Sequence, residues 1–266
     1  MSTLVAGPWV GEFGYELFAW QGAIRHIVKR DGYDQVVISS RLGHEHLYHD
    51  FCTKYIPYAS NLNACDGRHG VVGLDQMGLT EQMFRGIPYM RALCPEQNLK
   101  NEPKEFINYG TKDAALGFDI VIHARGIAVE PTQMVRNNYA QKLSRNWSID
   151  KWRVLVDKLL ADKYHICCIG SPEASYILDG CTNLQGVSLA QLADILASSK
   201  LIVGPSSGPM HYATLCKCPQ VTWGEPHLKE RYQHLWNPFD TPVRFITTDV
   251  KYDPDVNVIY EAITKR

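Results

Sequence analysis

The chain has 266 residues, 45% of them hydrophobic and 21% charged, proportions of a folded globular protein and too apolar for a disordered tail or a rod. Lys and Arg number 27 against 28 Asp and Glu, a formal net charge of -1, which excludes a general polyanion binder while leaving room for a local basic groove. No apolar run approaches the roughly 18 residues of a membrane span.

The opening residues, Met1 to Pro8, carry no basic flank and no long apolar stretch, so no signal peptide is expected. None of the eight cysteines forms a C-x-x-C pair; buried thiols and a cytoplasmic location are the expectation. Leu4-Val5-Ala6 reads as a first strand, followed by a Gly-rich turn. Glu16 to Lys29 reads as a helix with Leu17, Trp20, Ile24 and Ile27 on one face, and Gln35 to Ser39 as a second strand. From Arg41 to Lys112 turn signals dominate and no order of elements emerges. After Gly117 the pattern sharpens. Phe118 to His123 is a strand; Ser148 caps a helix carrying Trp152, Leu155 and Leu159 inward; His165 to Ile169 is a strand; Ser188 and Gln191 make a capping box; Leu201 to Val203 is a strand; Gly204 to Gly208 is a tight turn; Met210 to Leu215 begins a helix; Gln220 to Trp223 is a strand; and Val256 to Ile263 is a final helix. Nearly continuous apolar strands alternating with helices predict parallel sheets covered on both faces. The expected division is a reduced N-terminal Rossmann-like domain over 1–112, a second over 113–250, a cleft between them, and a C-terminal helix over 251–266 that packs back on the first domain.

Three places carry chemistry. Val203-Gly204-Pro205-Ser206-Ser207-Gly208-Pro209-Met210-His211 runs from a buried strand into a helix start. Free amides and the positive end of a helix dipole suit a phosphate there, although an ordinary strand-to-helix turn reads the same way. Gly7-Pro8-Trp9-Val10-Gly11-Glu12-Phe13-Gly14-Tyr15-Glu16 spaces its glycines G-x-x-x-G-x-x-G, neither the dinucleotide fingerprint nor a Walker A loop, so nicotinamide and ATP are not indicated. A carboxylate at the carboxyl end of a strand can act as a general base. Glu12, inside the turn, is the sharper candidate, since Glu16 serves equally as a first-turn glutamate facing the helix dipole. Third, His123 to Asp150 holds Arg125, Arg136, Lys142 and Arg145 against Glu130 and Asp150; arginines near a strand end can hold a diphosphate, and a solvated loop is the plain alternative. His44-Glu45-His46-Leu47-Tyr48-His49 has the look of a metal cluster without further ligands, and Cys216-Lys217-Cys218 is as weak a hint. No G-x-S-x-G elbow is present, which argues against an α/β-hydrolase.

The series Asn146-Trp147-Ser148, Ile169-Gly170-Ser171-Pro172-Glu173, Asn183-Leu184-Gln185-Gly186, Leu192 to Ala197 and Ile202 to His211 resembles the nucleotide-sugar half of heptosyltransferase-like glycosyltransferases of family 9 type, with the two-domain GT-B architecture. In the N-terminal part the resemblance rests on Gly11-Glu12, where that family has Gly-Asp. It implies a metal-independent, inverting transfer of a sugar from a nucleotide diphosphate sugar to an acceptor hydroxyl, with no further cofactor. Glu12 would be the base. The donor would meet Arg125, Arg145, Gly170, Ser171, Ser206, Ser207, Gly208, Pro209, Met210, His211 and Glu225, with amides of Ser207, Gly208 and Met210 on the departing diphosphate; Gly11, Gly14, Tyr15 and Glu16 would lie on the acceptor side. Ser206 stands where the family has Asp, Glu12 is one methylene longer, and the chain is shorter than typical members. Two alternatives stay open: an epimerase of the same architecture using His123 or His211, and a non-catalytic sugar-nucleotide binding module. The acceptor is open between a glycan, a protein and a hydroxylated nucleobase in DNA, for which Arg41, Arg68, Arg85 and Arg91 could line a groove.

Overall fold

The structure, a computed structural model, describes residues 2–9, 11–58, 84–87, 91–93, 99, 102–126, 145–249 and 252–265. Arg68, Glu130, Arg136 and Lys142 lie outside the described residues. Two compact units divide the chain, Met1–Ile107 and Asn108–Arg266.

In the first unit, strands β1 (Thr3–Ala6), β2 (Gln35–Arg41), β3 (Lys54–Tyr58) and β4 (Arg91–Leu93) form one sheet in the order β3-β2-β1-β4, every pair parallel. β1 is wholly buried, as four successive apolar or small residues covered on both faces require. A single helical run, α1, follows: Phe13–Tyr15, a wider π-type turn over Glu16–Trp20, and Gln21–Asp31. It begins three residues before the expected start. Leu17, Trp20, Ile24 and Ile27 are buried, the face that the spacing predicts. Gly7 joins β1 to the turn at φ +122, and a Cβ there would stand 2.3 Å from the Ser39 carbonyl oxygen, so the backbone of the turn lies directly on β2 only because this residue is glycine.

In the second unit, β5 (Ile120–Ile122), β6 (Ile166–Gly170), β7 (Thr182–Gln185), β8 (Ile202–Pro205), β9 (Gln220–Gly224) and β10 (Val243–Thr247) are ordered β10-β9-β8-β5-β6-β7, again all parallel. Helices α2 (Ile149–Ala161), α3 (Leu189–Ser198), α4 (Gly208–Leu215) and α5 (Val256–Thr264) complete it. The chain runs outward from β5 to β7, returns past β5 to β8, and continues to β10. The reversal falls between β5 and β8, and ligands of doubly wound sheets gather outside the carboxyl ends of such a pair.

Local signals set these boundaries. The Ser188 hydroxyl accepts the Gln191 amide at 3.2 Å while the Gln191 side chain accepts the Ser188 amide at 3.0 Å, and Ser148 accepts the Asp150 amide at 3.3 Å. Gly204 and Pro205, expected in a turn, end β8 instead, and α4 begins at Gly208 rather than Met210. α5 lies against α2 and β9 of its own unit, with Ile259 and Ile263 of its apolar stripe buried.

Candidate active site

The carboxyl ends of β5, β6, β8 and β9 carry the candidate donor residues. His123 follows β5 and Ser207 follows β8, and the His123 Nδ1 lies 2.9 Å from the Ser207 hydroxyl. Their backbones are as tight: a Cβ on Gly204 would meet the His123 carbonyl oxygen at 3.0 Å and the Met210 sulfur at 3.1 Å. Burial, with Arg125 beside it, pushes the His123 imidazole down to about 3, so the ring is neutral at physiological pH.

Arg125, two residues on, is 6% exposed. Its guanidinium bonds the Asn146 side-chain oxygen at 2.5 Å, and its backbone forms a bridge with Ser175. Burial first, and the nearby Arg145 second, lower Arg125 to about 10. A buried guanidinium opposed by a second cation is a place where an anion is favoured. Arg145 is half-buried with its guanidinium over the Tyr252 ring at 5.7 Å, and its Nε is buried with no hydrogen-bond partner among the described residues.

The start of α4 is accessible. Ser207, Gly208 and Pro209 are half-buried, whereas Ser206, Met210 and His211 are buried. The Ser207 amide, expected to face a leaving diphosphate, donates instead to the Tyr232 hydroxyl at 3.2 Å. That hydroxyl in turn donates to Ser206 at 3.1 Å. The Ser206 side chain is therefore absorbed in holding the turn. The Tyr232 ring stacks on His211 at 4.3 Å, and burial, with Arg231 and Arg145 near, drives the His211 ring well below its ordinary pKa. What the helix start leaves for a ligand are the amides of Gly208 and Met210, neither of which has an acceptor within the helix; the first intrahelical bond is His211 to the Ser207 carbonyl, 3.1 Å.

Gly170 ends β6 at φ +126, where a Cβ would collide with the Ser175 hydroxyl at 2.5 Å. Ser175 donates to the Ser171 carbonyl at 2.7 Å and accepts from Gln185 at 2.8 Å, while the Ser171 side chain is exposed. Glu225 follows β9 and faces His227 at 3.5 Å. Tyr232, Asn146 and Ser175 were not among the expected site residues. Asn146 and Tyr232 contribute through bonds to residues 21 and 25 positions away, and Ser175 through Ser171 and Gln185.

In the first unit, Glu12 opens α1. Its carbonyl accepts the Glu16 amide at 3.1 Å, and its side chain is exposed and does not cap the helix. Gly11 is buried; Gly14 and Tyr15 are half-buried. Glu16, expected on the acceptor side, is 0% exposed. Its carboxylate accepts the Ser40 hydroxyl at 2.5 Å, the Tyr48 hydroxyl at 2.7 Å and the His44 Nδ1 at 2.7 Å. Burial alone would raise this carboxyl; His44, Ser40 and Tyr48 outweigh it and hold it below the ordinary range. The histidines expected to resemble a metal cluster are spent elsewhere: His44 on Glu16, and His46 stacked on His49 at 4.7 Å. Among the described residues no group of three His, Cys, Asp or Glu could hold a metal ion, and no described helix is long and apolar enough to cross a membrane.

A comparison with curated protein sequences finds no match. Among solved structures, the chain is similar to E. coli heptosyltransferase WaaC with ADP-2-deoxy-2-fluoro heptose (TM-score 0.63, 13% identity, 100% of this chain and 99% of that one). It is also similar to E. coli ADP-heptose lps heptosyltransferase II (TM-score 0.58, 16% identity, 100% and 98%) and to the family 9 glycosyl transferase from Veillonella parvula DSM 2008 (TM-score 0.54, 10% identity, 93% and 86%). These likenesses establish the fold, two Rossmann-like domains of GT-B type. Residues 117–249, half of the chain, match glycosyltransferase family 9 (heptosyltransferase). The chain therefore belongs to glycosyltransferase family 9, an enzyme that takes its sugar from a nucleotide-sugar donor.

Proposed function

We propose that the chain transfers a sugar with inversion from a nucleoside diphosphate sugar to a hydroxyl of a glycan acceptor. The donor diphosphate lies outside the carboxyl ends of β5 and β8. Arg125, Arg145, the amides of Gly208 and Met210 and the dipole of α4 neutralise it, the work that a divalent cation does in other transferases. The acceptor oxygen forms its bond to the anomeric carbon as the bond to the diphosphate oxygen breaks. The electron pair leaves with the diphosphate, and the hydroxyl proton goes to Glu12. A single in-line displacement inverts the carbon. Donors fixed before the reaction stabilise the developing diphosphate charge without reorganising, usually the largest catalytic contribution of this kind.

The observation that carries this reading is the buried Arg125, lodged where the charge of Arg145 is felt, beside an accessible helix start at the point where the sheet reverses. WaaC and heptosyltransferase II act with ADP-bound sugars by their names, so ADP-heptose heads the candidate donors. The test is a thermal-shift panel of nucleotide sugars followed by an assay for released nucleoside diphosphate. At a hundred times its Kd a true donor adds about 2.7 kcal/mol. A panel without a single stabilising member overturns the reading. Turnover of bound donor into an isomer with no diphosphate released would favour an epimerase.

A further inference from the structure

The buried Glu16 network belongs to the first unit. A carboxylate wholly removed from water is costly unless every lone pair is met, and here two hydroxyls and a ring nitrogen meet it. Three of its connections lead inward: Ser40 in β2, Tyr48, and the helix α1 that carries Glu16 itself. The fourth leads outward. His44 follows β2, retains 18% of its side-chain exposure, and gives its Nδ1 to Glu16, so its Nε2 is the nitrogen left to bond a ligand. The tautomer and tilt of a histidine are fixed by the bond that its other nitrogen makes. The arrangement also fits a place. His44 lies past the carboxyl end of β2, beside the turn that leaves β1, the edge of a parallel sheet at which ligands bind. Its ring meets the Phe13 ring edge-on at 5.2 Å, and Phe13 is the residue after Glu12. An apolar ring beside an oriented nitrogen matches the mixed CH and hydroxyl surface of a sugar.

We propose that His44, oriented by Glu16, is an acceptor-binding residue whose Nε2 bonds a hydroxyl of a sugar acceptor; this rests on the glycosyl-transfer reading given above. Glu16 acts through His44 and is a positioning residue. The resemblance placed Glu16 on the acceptor side with Gly11, Gly14 and Tyr15; its carboxylate is buried, so it acts on an acceptor through His44.

The test compares wild type, His44→Gln and Glu16→Gln as full-length chains. In the first arm the nucleotide sugar returned by the donor panel is supplied with a panel of methyl glycosides as acceptors, or with water as sole acceptor. The wild type should glycosylate at least one methyl glycoside. His44→Gln should raise the KM for that glycoside at least about tenfold, while donor Kd and hydrolysis by water change less than about twofold. Glu16→Gln should show the same split; a merely structural role would lower stability and leave the KM unmoved. In the second arm the histidine ring nitrogens are observed by NMR as methyl glycosides are added without donor. The His44 Nε2 signal should move in the wild type and not in Glu16→Gln. Methyl glycosides that leave the His44 signal still, or an unchanged KM in His44→Gln, overturn the assignment. The second arm needs no donor, so its failure is distinct from failure of the transfer reading, and His44→Gln keeps the test standing if Glu16→Gln does not fold.

Discussion

The His123 ring nitrogen and the Ser207 hydroxyl, 2.9 Å apart, join the ends of β5 and β8, the two strands between which the second sheet reverses direction. The bond fixes the turn before α4 from the far side, as the Tyr232 hydroxyl fixes it from the near side through Ser206 and the Ser207 amide. The helix start is thus built rigidly before any ligand arrives.

Acid should loosen this corner. His123 and His211 have pKa values below their ordinary 6.5 when folded, that of His123 about 3. Between those limits the unfolded chain binds protons that the folded chain refuses, so stability is full above about pH 6.5 and falls as the pH is lowered toward 3. His123 should account for roughly 1–2 kcal/mol between pH 6.5 and 5, and His211 adds in the same direction. Urea midpoints of wild type and His123→Asn at the two pH values check this: the variant should lose less on acidification. Equal losses would show that His123 is not held neutral.

Arg145→Ala should weaken binding of a nucleoside diphosphate by roughly tenfold to a hundredfold, the worth of a charge-assisted hydrogen bond, with little change in unfolding midpoint because the side chain is only half-buried. Calorimetric titration with ADP and its counterparts measures it. Affinity equal to that of the wild type would remove Arg145 from the diphosphate site.

Glu16→Ala should cost about 3 kcal/mol of stability, since it strands two buried hydroxyls and a histidine nitrogen. Glu12→Ala, an exposed position without a capping bond, should cost less than about 0.5 kcal/mol. Chemical denaturation of the two variants side by side gives the contrast, and equal losses would contradict the burial of Glu16.

Much of the second unit was legible in the sequence because its signals are local. The Ser188 capping box, the Ser148 cap and the apolar runs Ile166–Ile169 and Ile202–Val203 each declare themselves within a few residues. β7 and β10 were not read, and both are sheet edges. Thr182–Gln185 is polar and largely exposed, and Val243–Thr247 alternates too weakly to stand out. β3 and β4 are likewise edge strands of the first sheet, lodged among turn residues. Gly208, Arg125 and Arg145 were named from the sequence as donor residues, whereas the helix start was read two residues late, at Met210 instead of Gly208. The roles of Tyr232 and Asn146 were not legible, because a hydrogen bond across 20 or more residues, such as Tyr232 to Ser207 or Arg125 to Asn146, leaves no periodic trace. The burial of Glu16 was not legible for a related reason: Ser40, His44 and Tyr48, which enclose its carboxylate, lie 24, 28 and 32 residues away in sequence.

The most direct test of sugar transfer with Glu12 as base is diphosphate release from the bound donor in the presence of acceptor, measured for wild type and Glu12→Gln. Glu12→Gln should bind the nucleotide sugar with unchanged Kd and release the diphosphate at least about a hundredfold more slowly, the lower range of general-base assistance. Release at the wild-type rate would contradict the account.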